Sequence, residues 1–314
     1  MSRIYEALQK AESERKLERP ENEPRIPPET LDTRSAATAV EYEVPSSYDE
    51  PLRETAFDVE ATPRGTGGLN LAAIPRRTWN PSITRLPSLL ERGPAVEQFR
   101  SLRSRVYEAR DIRPIKSILI SSGLPQEGKS FISANLAVSL ARHKNSKVLL
   151  IDGDMRRYTL HELLGTESHP GLADYLAGKA SAEEIMQRHE ETGSQGPGGN
   201  ALANLTFIPG GNGGDKAADL SGSARFGELL RLAAPYFDWI IVDSSPVVPV
   251  SDGVNLARAC DGVLLVARSG VTKYTVAQRA AAELRAANVL GFVLNAVYEN
   301  PQTGSYYGYN ANKE

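Results

Sequence analysis

Short runs that are apolar throughout alternate with stretches of helical character from residue 117 onward, and few folds accommodate that order. The runs are SILISS (117–122), KVLLID (147–152), LTFIPG (205–210), WIIVDS (239–244), GVLLVAR (262–268) and GFVLNAV (291–297). Helical stretches lie near 131–144, 156–165, 170–190, 223–235, 253–259 and 273–288. A strand without a polar face must be buried on both sides, and strands separated by helices pair in parallel. The expectation is an α/β domain, a mostly parallel sheet with helices on both faces. Right-handed crossovers then bring the chemically active loops to the carboxyl ends of the strands.

The first run leads into GLPQEGKS (123–130), which fits G-x-x-x-x-G-K-[ST], and the helix-compatible FISANLAVSLARHK follows. That strand–loop–helix setting is the one a P-loop requires. Gly123 and Gly128 let the backbone bend so that successive N–H groups point at phosphate oxygens. The helix N-terminus adds the positive end of its dipole. The candidate nucleotide-binding segment is therefore Gly123, Leu124, Pro125, Gln126, Glu127, Gly128, Lys129 and Ser130, with Phe131 opening the helix. Lys129 can neutralise β/γ-phosphate charge, and the Ser130 hydroxyl can ligate Mg²⁺. The expected cofactors are ATP and Mg²⁺.

Two further runs end in acids. LLIDGDMRR carries Asp152 and Asp154 at the end of the run after the P-loop helix, and WIIVDSS ends in Asp243 as a Walker B strand does. Mg²⁺ takes hard oxygen ligands, often through water, so Ser130, Asp152 and Asp243 are candidate metal ligands. A nearby carboxylate can also accept a proton from an attacking hydroxyl, which adds Asp152 and Asp154 to Lys129 as candidate catalytic residues. The alternative for each aspartate is to cap the helix that follows. Arg156 and Arg157 either steady phosphate or sit in solvent. Asn295, near the end of the last run, either hydrogen-bonds an adenine or holds a turn. The GGNGG stretch (210–214) either approaches nucleotide or forms a surface turn.

Upstream the character differs. Residues 1–12 place Ile4, Ala7, Leu8 and Ala11 on one face of a short amphipathic helix, either a docking element or a frayed terminus. Residues 13–88 are rich in Glu, Pro, Arg, Ser and Thr, and the expectation is a disordered linker, with LNLAAIP (69–75) as a patch for local docking. A helix over PAVEQFRSLRSRVYEARD, with Val96, Phe99, Leu102 and Val106 on its apolar face, opens a domain spanning 94–300. TGSQGPGGN (192–200) reads as a flexible excursion, and 301–314 as a flexible tail. The net charge of -3 advertises neither nucleic acid nor an anionic membrane. The single cysteine, Cys260, rules out an intrachain disulfide and suits a reducing cytoplasm. There is no apolar signal region, and no apolar run approaches the ~20 residues that span a bilayer. Membrane association is therefore expected only through a partner.

GLPQEGKS, LLIDGDMRR and WIIVDSSP, in that order, resemble the Walker A, A′ and B motifs of bacterial tyrosine kinases of the CpsD/CapB type, the BY-kinases, whose P-loop fold is related to MinD. The similarity runs from about Val96 to the C-terminus. EQFRSLR matches the family's E-x-x-R-x-x-R helix at Glu97, Arg100 and Arg103, which implies ring-like homo-oligomerisation. Side chains at this spacing lie near one face and can form intersubunit ion pairs. GSYYGYN places Tyr306, Tyr307 and Tyr309 where the family has a tyrosine cluster that a neighbouring subunit phosphorylates. Glycines give such a segment its reach.

The resemblance implies an ATP-dependent protein-tyrosine kinase that autophosphorylates in trans, with Asp152 the better base candidate. It further implies service in exopolysaccharide or capsule synthesis and export, and a cytoplasmic location peripheral to the inner membrane. A separate membrane activator of the polysaccharide co-polymerase type would provide that attachment, and no nucleic acid is involved. Departures are a Walker B loop reading Asp243-Ser244-Ser245-Pro246 where the family usually has Asp-Thr-Pro-Pro, a shorter tyrosine cluster, no fused transmembrane portion and a long N-terminal linker. Two alternatives stand beside the kinase. A MinD/ParA-like switch ATPase carries a signature lysine just after the first P-loop glycine, where this chain has Leu124. A non-catalytic regulatory module of an export machine would tolerate the altered Walker B loop.

Overall fold

The computed structural model describes residues 68–143, 146–190 and 199–297. The proposed helix at 1–12, the linker up to residue 67 and the tail from 301 lie outside the described residues.

The sheet has eight strands: β1 (Arg76–Arg77), β2 (Ser117–Ser122), β3 (Val148–Asp152), β4 (Gln187–His189), β5 (Leu205–Ile208), β6 (Trp239–Asp243), β7 (Gly262–Arg268) and β8 (Val289–Asn295). Their spatial order is β1-β4-β5-β3-β6-β2-β7-β8. Every neighbouring pair is parallel except β4 with β5. Side chains alternate between two cores, as the strand period requires. Leu119, Leu149, Ile151, Ile240, Val242, Val263 and Leu265 enter one. Ile118, Ile120, Val148, Leu150, Trp239, Ile241, Leu264 and Val266 enter the other. Burial on both faces explains why these runs carry no polar alternation. Cys260 packs against the first core, and burial pushes its thiol up, as suits a small apolar side chain.

The helix at Lys129–Ala141 is buried along nearly its whole length and belongs to the second core, as does the apolar face of the helix at Pro94–Ile112. The rings of Phe99 and Phe131 meet edge-on across these helices at 5.6 Å. The Pro94–Ile112 helix starts with proline in its first turn and stops at Arg113, whose extended φ of -144° and ψ of 143° are what the following Pro114 imposes. Among the described residues no helix is long and apolar enough to cross a membrane.

Two expectations need correction. The linker does not run to residue 88: residues 68–89 are laid along the domain. Leu69, Ile74, Trp79, Leu86 and Leu89 are all buried, and β1 adds a parallel edge to β4. The Trp79 ring meets Phe207 edge-on at 6.4 Å. Averaged composition hid Trp79 and Leu86, because they stand singly and no helical or strand period links them. LNLAAIP does dock, through Leu69 and Ile74. The single helix expected over 170–190 is two short helices, Leu172–Leu176 and Ala182–Ile185, followed by β4. Gly178, at a φ of 75°, breaks it, and Ser181 restarts it with a capping box to Glu184. Residues 192–198 of the glycine-rich excursion lie outside the described residues, and a short helix at Gly199–Ala203 follows them.

Candidate active site

The P-loop joins β2 to the helix at Lys129–Ala141. Gly128 caps that helix with a φ of 98°, and a Cβ there would lie 2.0 Å from Asn295 Nδ2. A Cβ on Gly123 would lie 2.7 Å from Val276. One glycine is thus required by backbone conformation and both by close approach. Gln126 also has a positive φ, 63°, in a loop that is tied down from several sides. Glu127 is only 3% exposed, and its carboxylate accepts the Leu124 N–H at 2.8 Å and the Thr272 hydroxyl. Asn295 donates its amide to the Glu127 carbonyl at 3.0 Å and accepts the Ala296 N–H at 2.8 Å. Asn295 thus holds a turn, and the turn is the P-loop itself. Phe131 contributes its ring to packing against Phe99, and Leu124, Pro125 and Gln126 are exposed on the loop's rim.

β3 and β6 are direct neighbours, in a register that sets Asp152 beside Asp243. Gly153 follows, donating its N–H to the Asp243 carbonyl at 2.9 Å; a Cβ there would lie 2.5 Å from that oxygen. Asp152 is fully buried and accepts the N–H groups of Asp154 (3.2 Å) and Leu160 (3.1 Å). Asp154 turns back to Lys129, with Nζ 3.4 Å from its Oδ2. Asp243 accepts the Ser133 hydroxyl at 3.0 Å through Oδ1, while its buried Oδ2 has no hydrogen-bond partner among the described residues. The structure thus brings Lys129, Asp152, Asp154 and Asp243 together at the mouth of the loop, with Ser130 beside Asp243.

Three buried carboxylates face one lysine, and the protonation of Asp152 and Asp243 registers the imbalance. Burial pushes Asp152 well above the usual carboxylate range, and the neighbouring Asp243 pushes it further. Asp243 is raised to about 6, chiefly by burial, against the pull of Lys129 and the Ser130 hydroxyl. A divalent cation would reverse this logic by favouring the ionised forms. The donor set fits Mg²⁺: a hydroxyl and an unpartnered carboxylate oxygen, with the remaining positions left to water and phosphate.

Several partners were not legible in the motifs. Thr272 and Arg268, which reaches the Gln126 carbonyl at 3.5 Å, support the loop from the segment after β7. Arg156, though exposed, is also paired: its Nε donates to the buried Asp252 at 2.7 Å. The altered Walker B loop is fully used. Ser244 donates to the Ile120 carbonyl at 3.1 Å, Ser121 to the Ser245 carbonyl at 2.8 Å, and the Ser245 hydroxyl accepts the Gly253 N–H at 3.1 Å. The glycine stretch after β5 packs against the segment following Asp152. A Cβ on Gly210 would lie 2.6 Å from Tyr158, and Gly213 donates to the Met155 carbonyl at 3.1 Å.

Glu97, Arg100 and Arg103 stand on the helix at Pro94–Ile112, and of the three Arg103 reaches across to the Lys129–Ala141 helix. Arg100 pairs with Glu97 and donates to the Glu91 carbonyl at 2.9 Å, while Arg103 donates to the Ser139 carbonyl at 2.9 Å. Tyr306, Tyr307 and Tyr309 lie outside the described residues.

Residues 118–309 match the CobQ/CobB/MinD/ParA nucleotide binding domain family. The tyrosine-protein kinase YwqD of Bacillus subtilis is 34% identical over 224 residues, covering 69% of this chain and 87% of that protein. The tyrosine-protein kinase wzc of Salmonella typhimurium is also 34% identical, over 219 residues, covering 68% of this chain; the chain spans only 28% of its length. Among solved structures, the kinase domain of the Escherichia coli tyrosine kinase ETK superposes with a TM-score of 0.58 at 29% identity, covering 66% of this chain and 78% of that one. Motif order, sheet topology and these likenesses agree: the chain belongs to the bacterial tyrosine-kinase family built on the MinD-type P-loop fold.

Proposed function

We propose that this chain is an ATP- and Mg²⁺-dependent protein-tyrosine kinase that phosphorylates Tyr306, Tyr307 and Tyr309 of a neighbouring copy, and that it regulates exopolysaccharide or capsule synthesis and export. The observation that carries the reading is the convergence of Lys129, Asp152, Asp154 and Asp243 on a P-loop, with one buried Asp243 oxygen left unpartnered.

Bound Mg·ATP supplies the transferable phosphoryl group and the divalent charge. The loop's N–H groups and the first turn of the helix cradle the phosphates. Lys129 exchanges its contact with Asp154 for a phosphate oxygen. Ser130 and Asp243 hold the metal. Asp152, kept basic by burial, takes the phenolic proton, and Asp154 orients the hydroxyl once Lys129 has left it. Phosphoryl transfer depends mainly on positioning and charge neutralisation, so this sparse set suffices. Glu97, Arg100 and Arg103 serve assembly of a ring of copies, and a separate membrane protein of the polysaccharide co-polymerase type activates the kinase at the inner membrane. Phosphate added to the tail introduces negative charge that loosens the ring by repulsion.

The test is incubation with Mg·ATP, with and without a candidate activator, followed by phosphosite mapping by mass spectrometry. Phosphate on Tyr306, Tyr307 or Tyr309 that is lost in Lys129→Met is the expected result. ATP hydrolysis without phosphotyrosine would transfer the chain to the switch ATPases, and neither activity would leave a regulatory module.

A further inference from the structure

A cavity of ≈ 310 Å³ opens between the helix at Pro94–Ile112, the C-terminal end of the helix at Lys129–Ala141 and the 88–90 segment. Three guanidinium groups meet there: Arg100, Arg103 and Arg142. Each is fixed by backbone carbonyls: Arg100 by Glu91, Arg103 by Ser139, and Arg142 by Ser88 at 2.7 Å and by Leu90. These bonds orient the forks without neutralising them. Among the described residues the one carboxylate bonded to the group is Glu97, on Arg100. Three positive charges against one negative leave a surplus of two. Burial, and then repulsion from Arg100 and Arg142, pull Arg103 below the usual guanidinium value, although Tyr107 opposes them.

A second observation is independent of charge. Ser88, on the same cavity wall, is 2% exposed, and its hydroxyl has no hydrogen-bond partner among the described residues. A buried hydroxyl without a partner is costly, so it marks a place where an acceptor or donor is expected from outside. Val96, buried and apolar, supplies another part of the wall.

We propose that this cavity binds a phosphomonoester dianion, and that its bearer is a phosphorylated tyrosine from the tail of another copy. A phosphomonoester carries about -1.5 to -2 charges, which matches the surplus. Its oxygens match guanidinium forks in geometry. The volume sits at the lower end of small-molecule pockets, about 300–1,000 Å³, and exceeds what a bare phosphate fills. Val96 suits the phenyl ring behind the phosphate. Occupation of Arg100 and Arg103 would withdraw them from pairing between copies, which gives tail phosphorylation a specific address on the assembly helix. The inference rests on the tail being an acceptor, as proposed above.

The test uses synthetic peptides of residues 301–314, with and without phosphate on Tyr307, titrated into the full chain by fluorescence anisotropy. Saturating Mg·ADP keeps the P-loop occupied. The phosphopeptide is expected to bind at least about tenfold more tightly than its unmodified form and to weaken as salt is raised. Arg100→Gln should cost about tenfold and Ser88→Ala a few-fold. Arg100 is half-exposed and Ser88→Ala is conservative, so thermal melts should show both variants folded; if Arg100→Gln is not, Ser88→Ala decides. Equal binding of the two peptides overturns the proposal. So does phosphate-selective binding that neither variant weakens. Inorganic phosphate binding as tightly as the phosphopeptide overturns the tail as its source. Because the peptides are made synthetically, binding is scored whether or not the kinase assay succeeds, and the two readings fail separately.

Discussion

At the loop end of the sheet three carboxylates face one lysine; beneath the helix at Pro94–Ile112 three guanidinium groups face one carboxylate. Each place also keeps one buried oxygen without a hydrogen-bond partner among the described residues, Asp243 Oδ2 in the first and Ser88 Oγ in the second. Between them in kind stands the pair of Arg156 and Asp252, where a buried acid has its own cation and both oxygens are used. The contrast separates charge that the fold completes from charge that it leaves to be completed from outside. An imbalance tolerated twice, with opposite sign, is a mark of binding sites.

The strongest way to break this comparison is to remove the imbalance. Asp243→Asn should lower tyrosine phosphorylation by at least about 100-fold, measured as initial rate with Mg·ATP. The same change should raise the melting temperature of the nucleotide-free protein at pH 7.5 by about 5 °C, because it removes a buried charge that the protein alone does not compensate. Loss of both activity and stability would show that Asp243 is structural. The pH dependence follows from the same group. Its folded pKa of about 6 lies above the unfolded value, so the folded state binds more protons between roughly pH 4 and 6. Its contribution to stability therefore falls as pH rises through that window, and Mg²⁺ affinity falls as pH drops below about 6. Calorimetric titration of Mg·ADP from pH 5 to 8 checks the second sign.

Removing the cation of the completed pair should act in the other direction. Arg156→Gln leaves Asp252 buried and charged, and should cost about 2–3 kcal/mol in chemical denaturation, the figure allowing for the partial exposure of Arg156. Ser245→Ala removes the acceptor of the Gly253 N–H and should cost about 1 kcal/mol by the same measurement. Arg100→Gln should change stability least, by no more than about 0.5 kcal/mol, since its ion pair with Glu97 is half-exposed. That small stability effect, set beside the loss of phosphopeptide binding, would sharpen the distinction between charge that holds the fold and charge that serves a ligand.

Legibility in the sequence followed the same division between local and assembled features. The central strands and the P-loop could be read directly, because burial on both faces leaves continuous apolar runs and because the loop's glycines stand at fixed spacing. Asp152 and Asp243 were found because each ends such a run. Their adjacency was not visible, since it depends on β3 and β6 being neighbours although β4 and β5 intervene in the chain. Residues 68–89 misled because Trp79 and Leu86 are single anchors among polar residues, and only the sheet edge and the helix they meet give them meaning. The strand at Gln187–His189 has no strand-like pattern of its own; pairing with β5 creates it. Thr272 and Arg268 were invisible for the same reason, as loop supports borrowed from a distant segment.

The grip of Asn295 on the Glu127 carbonyl has a mechanical consequence. The chain leaves the sheet just after this residue and continues to the tyrosines. A pull on the chain beyond Asn295 would load β8 first, and β8 is clasped to the nucleotide loop, so a force applied there reaches the P-loop.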